Sequence, residues 1–377
     1  MLHALLLSLS LFPSQELDRP ALEALVEPYL ASSGVPGCVV GQLVDGRPGR
    51  VEAFGLADLE EERPMTVDAR FQVGSVTKSL TATLVALLAE DGTLAWDASL
   101  GELLSIEGAL APITLLQLAT HTSGLPREPI NRRDIPDSPS VMLPMSVEEL
   151  LEGLRETSLE RAPGESWSYS NLGYAVLGAV AGAQAGKAYP ALLEERVLQP
   201  LGMTSSGVYV GADEVPGLAS CYWPEDETPV ARAPWSFGSA CAFSGLVSTA
   251  PDLLRFLTAQ LEGAEPALLT PSMRAVLHRK AALVDPSSGR AMAAGWFLDR
   301  LPGDVELIGH GGELDGHSAI VVLTPRTRSG LVLLCNRGDD AARGLLSSLV
   351  GPWLAATGAV QAPAEAHGGD ASSGRQE

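Results

Sequence analysis

Apolar runs with strand character lie near both ends of this chain, and the residues between them carry mainly helical periodicity. Cys38 to Val44 and Arg50 to Leu56 are two such runs, joined at Asp45-Gly46, a hairpin signal. Toward the other end, Ala293 to Leu298, Val305 to Ile308, Ser318 to Leu323 and Gly330 to Cys335 alternate with turn signals. Residues 93 to 200 read mainly as helices, at 114–119, 147–155, 171–185 and 190–197. Other helical patterns run over 22–30, 76–89, 251–261 and 340–356; Asp91-Gly92 stops the second. Strands at both ends around a helical middle predict an α+β domain with a helical insertion. The α/β part is expected at about 16–92 and 235–357, and the helical part at about 93–234.

Composition narrows the partners. The 377 residues are 46% hydrophobic, too many for a disordered chain, yet no run of 18 apolar residues offers an integral membrane segment. A formal charge of −21 argues against nucleic acid and anionic lipid, which need a basic surface. The expected ligand is a small molecule or a short polymer. Leu5 to Phe12 reads as the apolar region of a signal peptide over 1–15, which predicts a periplasmic or secreted protein, with the cytoplasm as the alternative. Residues 358–377 read as a disordered tail, and 126–144 and 205–236 as irregular, proline-rich stretches. Cys38 and Cys335 sit in strand-like runs as buried thiols, while Cys221 and Cys241 flank a loop and are candidates for a bridge. Gly178, Gly182 and Gly186 recur every four residues, which predicts close helix packing in the core.

Three short motifs carry possible chemistry. Ser75-Val76-Thr77-Lys78 opens the helix predicted from 76, and a spacing of three places the Lys78 amine within reach of the Ser75 hydroxyl. A serine needs a neighbouring base to become a nucleophile. The competing reading is a plain helix cap. Tyr169-Ser170-Asn171 places a phenol and an amide on one side of an extended segment. The phenol can serve as base for Ser75 if a nearby ammonium lowers its pKa. His310-Gly311-Gly312 follows a strand, and its glycines allow close backbone approach, so that an N–H can face an oxyanion. His310, Glu313, Asp315 and His317 also form a dense cluster of metal-ligand residue types, but no regular ligand spacing supports a metal.

In this order the three motifs resemble those of the class C-type serine β-lactamase superfamily, which includes D-alanyl-D-alanine carboxypeptidases, D-aminopeptidases and esterases. The flanks Phe71–Gly74, Leu118–Pro126, Pro200–Thr204 and Gly245–Ala250 agree, and the similarity extends over about 20–357. The resemblance implies a mainly antiparallel sheet flanked by helices, an inserted all-helical subdomain and an active site between them. It implies Ser75 as nucleophile, Lys78 and Tyr169 as proton carriers, and the N–H groups of Ser75 and Glu313 as an oxyanion hole. It also implies Asn171, His310, Gly311 and Gly312 at the substrate, with no metal or organic cofactor. β-Lactamases of this type have Lys-Thr-Gly where this chain has His310-Gly311-Gly312. A neutral histidine holds a β-lactam carboxylate less firmly, so an ester, D-amino-acid peptide or amide is the expected substrate. A true β-lactamase and a non-catalytic binder of cell-wall fragments are the alternatives. Arg127, Arg132 or Arg133 is expected to supply a replacement cation.

Overall fold

The computed structural model describes residues 15–128, 132–133, 141–142, 145–209, 215–226 and 228–360. The signal-peptide expectation, most of the predicted tail and much of the 126–144 stretch therefore lie outside the described residues. Six consecutive strands run antiparallel from Ala282–Asp285 to Ser329–Cys335. The last pairs with Gly37–Val44 in the register Cys38↔Cys335, and Arg47–Asp58 and Arg63–Pro64 complete a nine-stranded sheet. Segments nearly 300 residues apart thus close one sheet, as the run pattern at the two ends requires.

The central strands are buried on both faces, so they read as continuous apolar runs rather than alternating ones. Val39, Leu43, Val332 and Leu334 face one core, and Cys38, Val40, Leu333 and Cys335 face the other. Helices Arg19–Ser33 and Ala341–Ala356 cover the second face through Leu22, Val26, Leu345, Leu349 and Trp353. On the first face lies helix Ala250–Ala259, and in the same core is helix Thr77–Glu90, buried on nearly every side, including at Thr77, Lys78, Ser79, Thr81 and Thr83. Its interior hydroxyls are satisfied: Ser79 Oγ donates to Gly295 O at 2.7 Å, and Thr81 Oγ1 donates to Ala242 O at 2.7 Å.

Helix Asn171–Ala185 packs against this helix and against the turn Gly238–Phe243. A Cβ on Gly178 would stand 2.2 Å from Ala242 Cβ, and one on Gly182 would stand 2.9 Å from Lys187 O. These two glycines permit the close packing their spacing predicts, whereas Gly186 caps the helix at φ +63°.

Two expectations are corrected. The stretch 205–236 is not wholly irregular, because Cys221–Glu225 and Thr228–Arg232 form a two-stranded ribbon. Cys221 and Cys241 are not bridged. Both are free and buried, Cys221 beside the His317 ring at 3.7 Å and Cys241 under Gly245. None of the described helices is long and apolar enough to cross a membrane.

Candidate active site

Ser75 sits in a single 3-10 turn, Gly74–Val76, that feeds helix Thr77–Glu90. No side chain caps this helix, so Ser75 is not the N-cap of the competing reading. Lys78 Nζ lies 2.9 Å from Ser75 Oγ and donates to the Phe243 carbonyl at 2.9 Å. The side chain is wholly buried, with the rings of Tyr169, Phe243 and Tyr174 at 4.9, 5.1 and 5.7 Å from the amine. Desolvation therefore drives the amine well below the usual lysine range. The nearby charge of Glu128 opposes this shift and that of Arg127 adds to it.

Tyr169 lines the cavity beside Ser75, whose hydroxyl works against the effect of burial on the phenol, so both predicted proton carriers lie next to the serine. Its ring is half-buried, but the hydroxyl is closely surrounded by protein, and this desolvation drives the phenol above its ordinary value. The expectation of a phenol made acidic by a lysine charge is reversed. Burial favours the uncharged form of both groups, so Lys78 is the better proton acceptor.

His310, Gly311 and Gly312 lie in strand Val305–Glu313, whose end runs beside the serine turn. A Cβ on Gly312 would fall 1.9 Å from Val73 O and 2.8 Å from Ser75 N; one on Gly74 would fall 2.8 Å from Glu313 N. Only residues without a Cβ let the two backbones approach this closely. The Ser75 amide thus lies close beside Gly312, and the Glu313 amide close beside Gly74.

His310 is buried, and its Nδ1–H donates to Gly311 O at 2.7 Å. Desolvation first, then the proximity of Lys78, lowers its pKa to about 3, so it is neutral. Glu313 accepts from Asp340 N through Oε1 at 3.0 Å; partial desolvation and Asp340 push its carboxyl up to about 7. His317 turns away from both, accepting from Gln72 N through Nδ1 at 3.0 Å, with Nε2 3.0 Å from Ala219 O. Among the described residues no group of three or more His, Cys, Asp or Glu is arranged to hold a metal.

Asn171 opens its helix just past the cap residue Ser170, and its Nδ2 donates to Glu128 Oε2 at 3.0 Å. Ser75, Tyr169, Asn171, His310, Gly311, Gly312 and Glu313 all line one cavity of about 460 Å³. Lys78 stands behind Ser75 in its wall.

Sequence reasoning missed several contributors. Phe243 offers a backbone carbonyl, which residue type does not reveal. Glu128 lines the cavity from a stretch without periodicity. Phe297 lies parallel to the Tyr169 ring at 6.5 Å and carries Arg290 over its face at 4.3 Å. Of the three expected cations, Arg127 lines the cavity over the Tyr169 ring at 5.0 Å and pairs with Glu128 at 3.2 Å. The side chains of Arg132 and Arg133 lie outside the described residues. His121, at φ +58°, brackets Tyr169: its carbonyl accepts from Ser168 N at 2.8 Å and its Nδ1 from Ser170 N at 3.1 Å. Its ring lies 4.2 Å from that of Tyr169.

Known proteins share this architecture. Protein flp of Staphylococcus aureus (strain NCTC 8325 / PS 47) is 24% identical over 342 residues, which is 88% of this chain and 66% of that relative. The chain thus spans just under two thirds of that relative's length. The D-amino acid amidase from Ochrobactrum anthropi SV3, in its complex with L-phenylalanine amide, superposes with a TM-score of 0.77 at 26% identity. That match covers 90% of this chain and 98% of the amidase. The class C beta lactamase from Rhodobacter sphaeroides shares the fold, with a TM-score of 0.71 at 24% identity over 88% of this chain and 99% of its own. Residues 22–347, most of the chain and all of the motifs above, match the Beta-lactamase family, and the chain belongs to that family.

Proposed function

We propose that this protein is a serine hydrolase that forms a covalent acyl-serine intermediate on a small ester, D-amino-acid peptide or amide. One observation carries the reading: a wholly buried lysine amine, desolvated below its usual range, lies 2.9 Å from a serine hydroxyl that opens into the cavity. The neutral amine donates one hydrogen to Phe243 O and keeps a lone pair for the Ser75 proton. Ser75 Oγ then adds to the acyl carbonyl, and the oxyanion rests between the N–H groups of Ser75 and Glu313. Tyr169, held as a phenol beside Ser75, passes the proton to the leaving group. In the second half, water gives up a proton along the same path and releases the acyl group.

The third motif favours this reading over β-lactam hydrolysis. His310 is neutral and Gly311 has no hydroxyl, so the segment offers neither the charge nor the side-chain donor that a β-lactam carboxylate would use. The test compares a short-chain p-nitrophenyl ester and a chromogenic cephalosporin, each against Ser75→Ala, with a fluorophosphonate probe as a label for Ser75. Ester turnover and labelling that both vanish in Ser75→Ala are expected. Failure of both would overturn the hydrolase and favour a binding protein. Cephalosporin turnover at least about 10²-fold above the variant would give the lead to β-lactam hydrolysis.

A further inference from the structure

We infer that Cys38 and Cys335 are a cross-link site, placed to close a disulfide between the first and last strands of the chain when it folds in the presence of a disulfide oxidant. The inference stands apart from the hydrolase reading. It starts from the strand register. Gly37–Val44 and Ser329–Cys335 run antiparallel, and Cys38 lies directly opposite Cys335. Opposed residues in such a ladder alternate between two kinds, with and without backbone bonds to each other. Here the bond from Asn336 N to Gly37 O, at 3.2 Å, joins the residues one step outward from the two cysteines. Cys38 and Cys335 are therefore a pair of the second kind. Such pairs bring their Cα atoms to about 4.5 Å and their side chains closest together. A disulfide spans Cα separations of about 4.4–6.8 Å.

The side chains agree with the backbone. Both cysteines are wholly buried in the core beneath helices Arg19–Ser33 and Ala341–Ala356. The Cys335 thiol first, and burial second, hold Cys38 well above the ordinary thiol range. Both sulfurs also add to the burial that pushes the Tyr29 phenol up to about 12. The other two cysteines have no such register: Cys221 stands opposite Arg232 in its ribbon, and Cys241 lies in the turn Gly238–Phe243. A bond between Cys38 and Cys335 ties together positions nearly 300 residues apart, with Ser75, Lys78, Tyr169, Asn171 and His310 all inside the closed loop. The same cross-strand row continues from Cys335 through Ser318 to Glu313, so the link braces the strands that carry the third motif.

Closure needs an oxidant, and a small disulfide such as oxidised glutathione supplies it. One cysteine thiolate attacks a glutathione sulfur and releases one glutathione thiolate. The second cysteine thiolate then attacks the protein sulfur of the mixed disulfide and releases the other. Two protein thiols become one S–S bond, glutathione disulfide is reduced to two thiols, and these take up the two protons. In the folded chain this exchange is blocked, because both sulfurs are out of reach and the Cys38 thiolate is disfavoured. It belongs to the folding chain, as the two strands meet and before the helices cover them. The finished bond is shielded from reductant in the same way.

The experiment refolds the reduced chain from urea in a mixture of oxidised and reduced glutathione, beside a sample refolded with reductant alone. Ellman's reagent in denaturant should find two thiols in the first and four in the second. Peptide mapping without reduction should yield one linked pair, holding Cys38 and Cys335, that separates on reduction. The urea midpoint of the oxidised form should exceed that of the reduced form by on the order of 1 M for so long a loop, and Cys335→Ala should abolish the difference. The double variant Cys221→Ala/Cys241→Ala keeps only the proposed pair and should go from two thiols to none. Four thiols after oxidative refolding, a link between any other two cysteines, or a link that leaves the midpoint in place or lowers it would overturn the inference. Export of the chain to a bacterial periplasm forms the bond without a refolding step, and its peptide map reads the same outcomes where refolding gives no native protein.

Discussion

Replacing Lys78 by methionine tests the electrostatic premise of the site without any substrate. The side chain is fully buried and its amine is pushed well below the usual range, mainly by desolvation. An unfolded lysine titrates near about 10.4. Between the depressed folded value and that unfolded value, the unfolded chain holds a proton that the folded chain has shed. Stability therefore rises with pH across this window, by about 1.4 kcal/mol per pH unit for one group, and is steady above it. Lys78→Met has no such slope. It also leaves the Phe243 carbonyl without its 2.9 Å donor, a pH-independent cost of about 1–3 kcal/mol. The sign of the offset between the two proteins is thus open, but its pH dependence is not. Urea unfolding of both proteins from pH 7 to 10, followed by tryptophan fluorescence, isolates the lysine because other groups titrate alike in the two. The wild type should gain on the variant by up to about 2.7 kcal/mol between pH 8 and 10. Parallel curves would mean that Lys78 stays an ammonium in the fold, and the base assigned to Ser75 would be wrong.

Gly312→Ala places a methyl 1.9 Å from Val73 O and should cost roughly 1–3 kcal/mol of stability and about 10²–10³ in kcat, whereas Gly311→Ala meets nothing closer than 3.7 Å and should fold normally; equal melting temperatures for the two would contradict the close approach. His121→Ala should lower kcat roughly 10- to 100-fold by freeing Tyr169, with faster amide exchange at Ser168 and Ser170, and His121→Asn should recover much of both, because its oxygen takes the place of Nδ1 and Asn tolerates the left-handed backbone. Unchanged exchange in His121→Ala would remove it as a support for Tyr169. All four cysteines are free and buried, and burial pushes Cys221 and Cys241 up to about 12. Ellman's reagent should therefore find four thiols in denaturant and almost none in the folded protein, and fewer than four without reductant would reveal a bridge.

What the sequence disclosed depended on how local the determining interactions are. The hairpin at Asp45-Gly46 and helix Asn171–Ala185 follow from turn chemistry and continuous apolar periodicity, and both appear where expected. The run Ala293 to Leu298 reads as one strand but is mostly the connection between two, Arg290–Met292 and Phe297–Leu301. Gly295 bends the chain between them at φ +79°, where a Cβ would stand 2.7 Å from Ala82 Cβ. The bend is set by a helix more than 200 residues away, which no local window contains. The ribbon Cys221–Glu225/Thr228–Arg232 was hidden by its prolines, yet Pro224 and Pro229 oppose each other in a two-stranded ladder, whose outer edges need no donor. At the site, side-chain chemistry was legible in the three motifs. Their environment was not. Residue type says nothing of the Phe243 carbonyl, of Glu128 on Asn171, or of the direction in which burial moves the Tyr169 phenol.

That environment divides the site in two. At the floor, Lys78, His121 and His310 are three basic side chains, each held below its ordinary pKa chiefly by desolvation and partly by one another or by nearby cations. Crowding three bases makes each uncharged, which suits proton transfer and leaves no fixed cation to hold an anionic substrate. At the rim, the guanidiniums of Arg127 and Arg290 lie over the rings of Tyr169 and Phe297, paired with Glu128 and Asp299. Charge therefore enters through pairs that can be altered singly, and each change also reaches the proton path, because Glu128 raises and Arg127 lowers the Lys78 amine. Removing Glu128 exposes Arg127, and removing Arg127 exposes Glu128, so the two substitutions should move the preference for substrate charge in opposite directions at the same Ser75. Placing a lysine at position 310 would not simply restore an anion site. It would add a fourth base to a floor already too dry to keep its first three charged, and that amine would have to shed its proton or reach past the Phe297 ring to the rim.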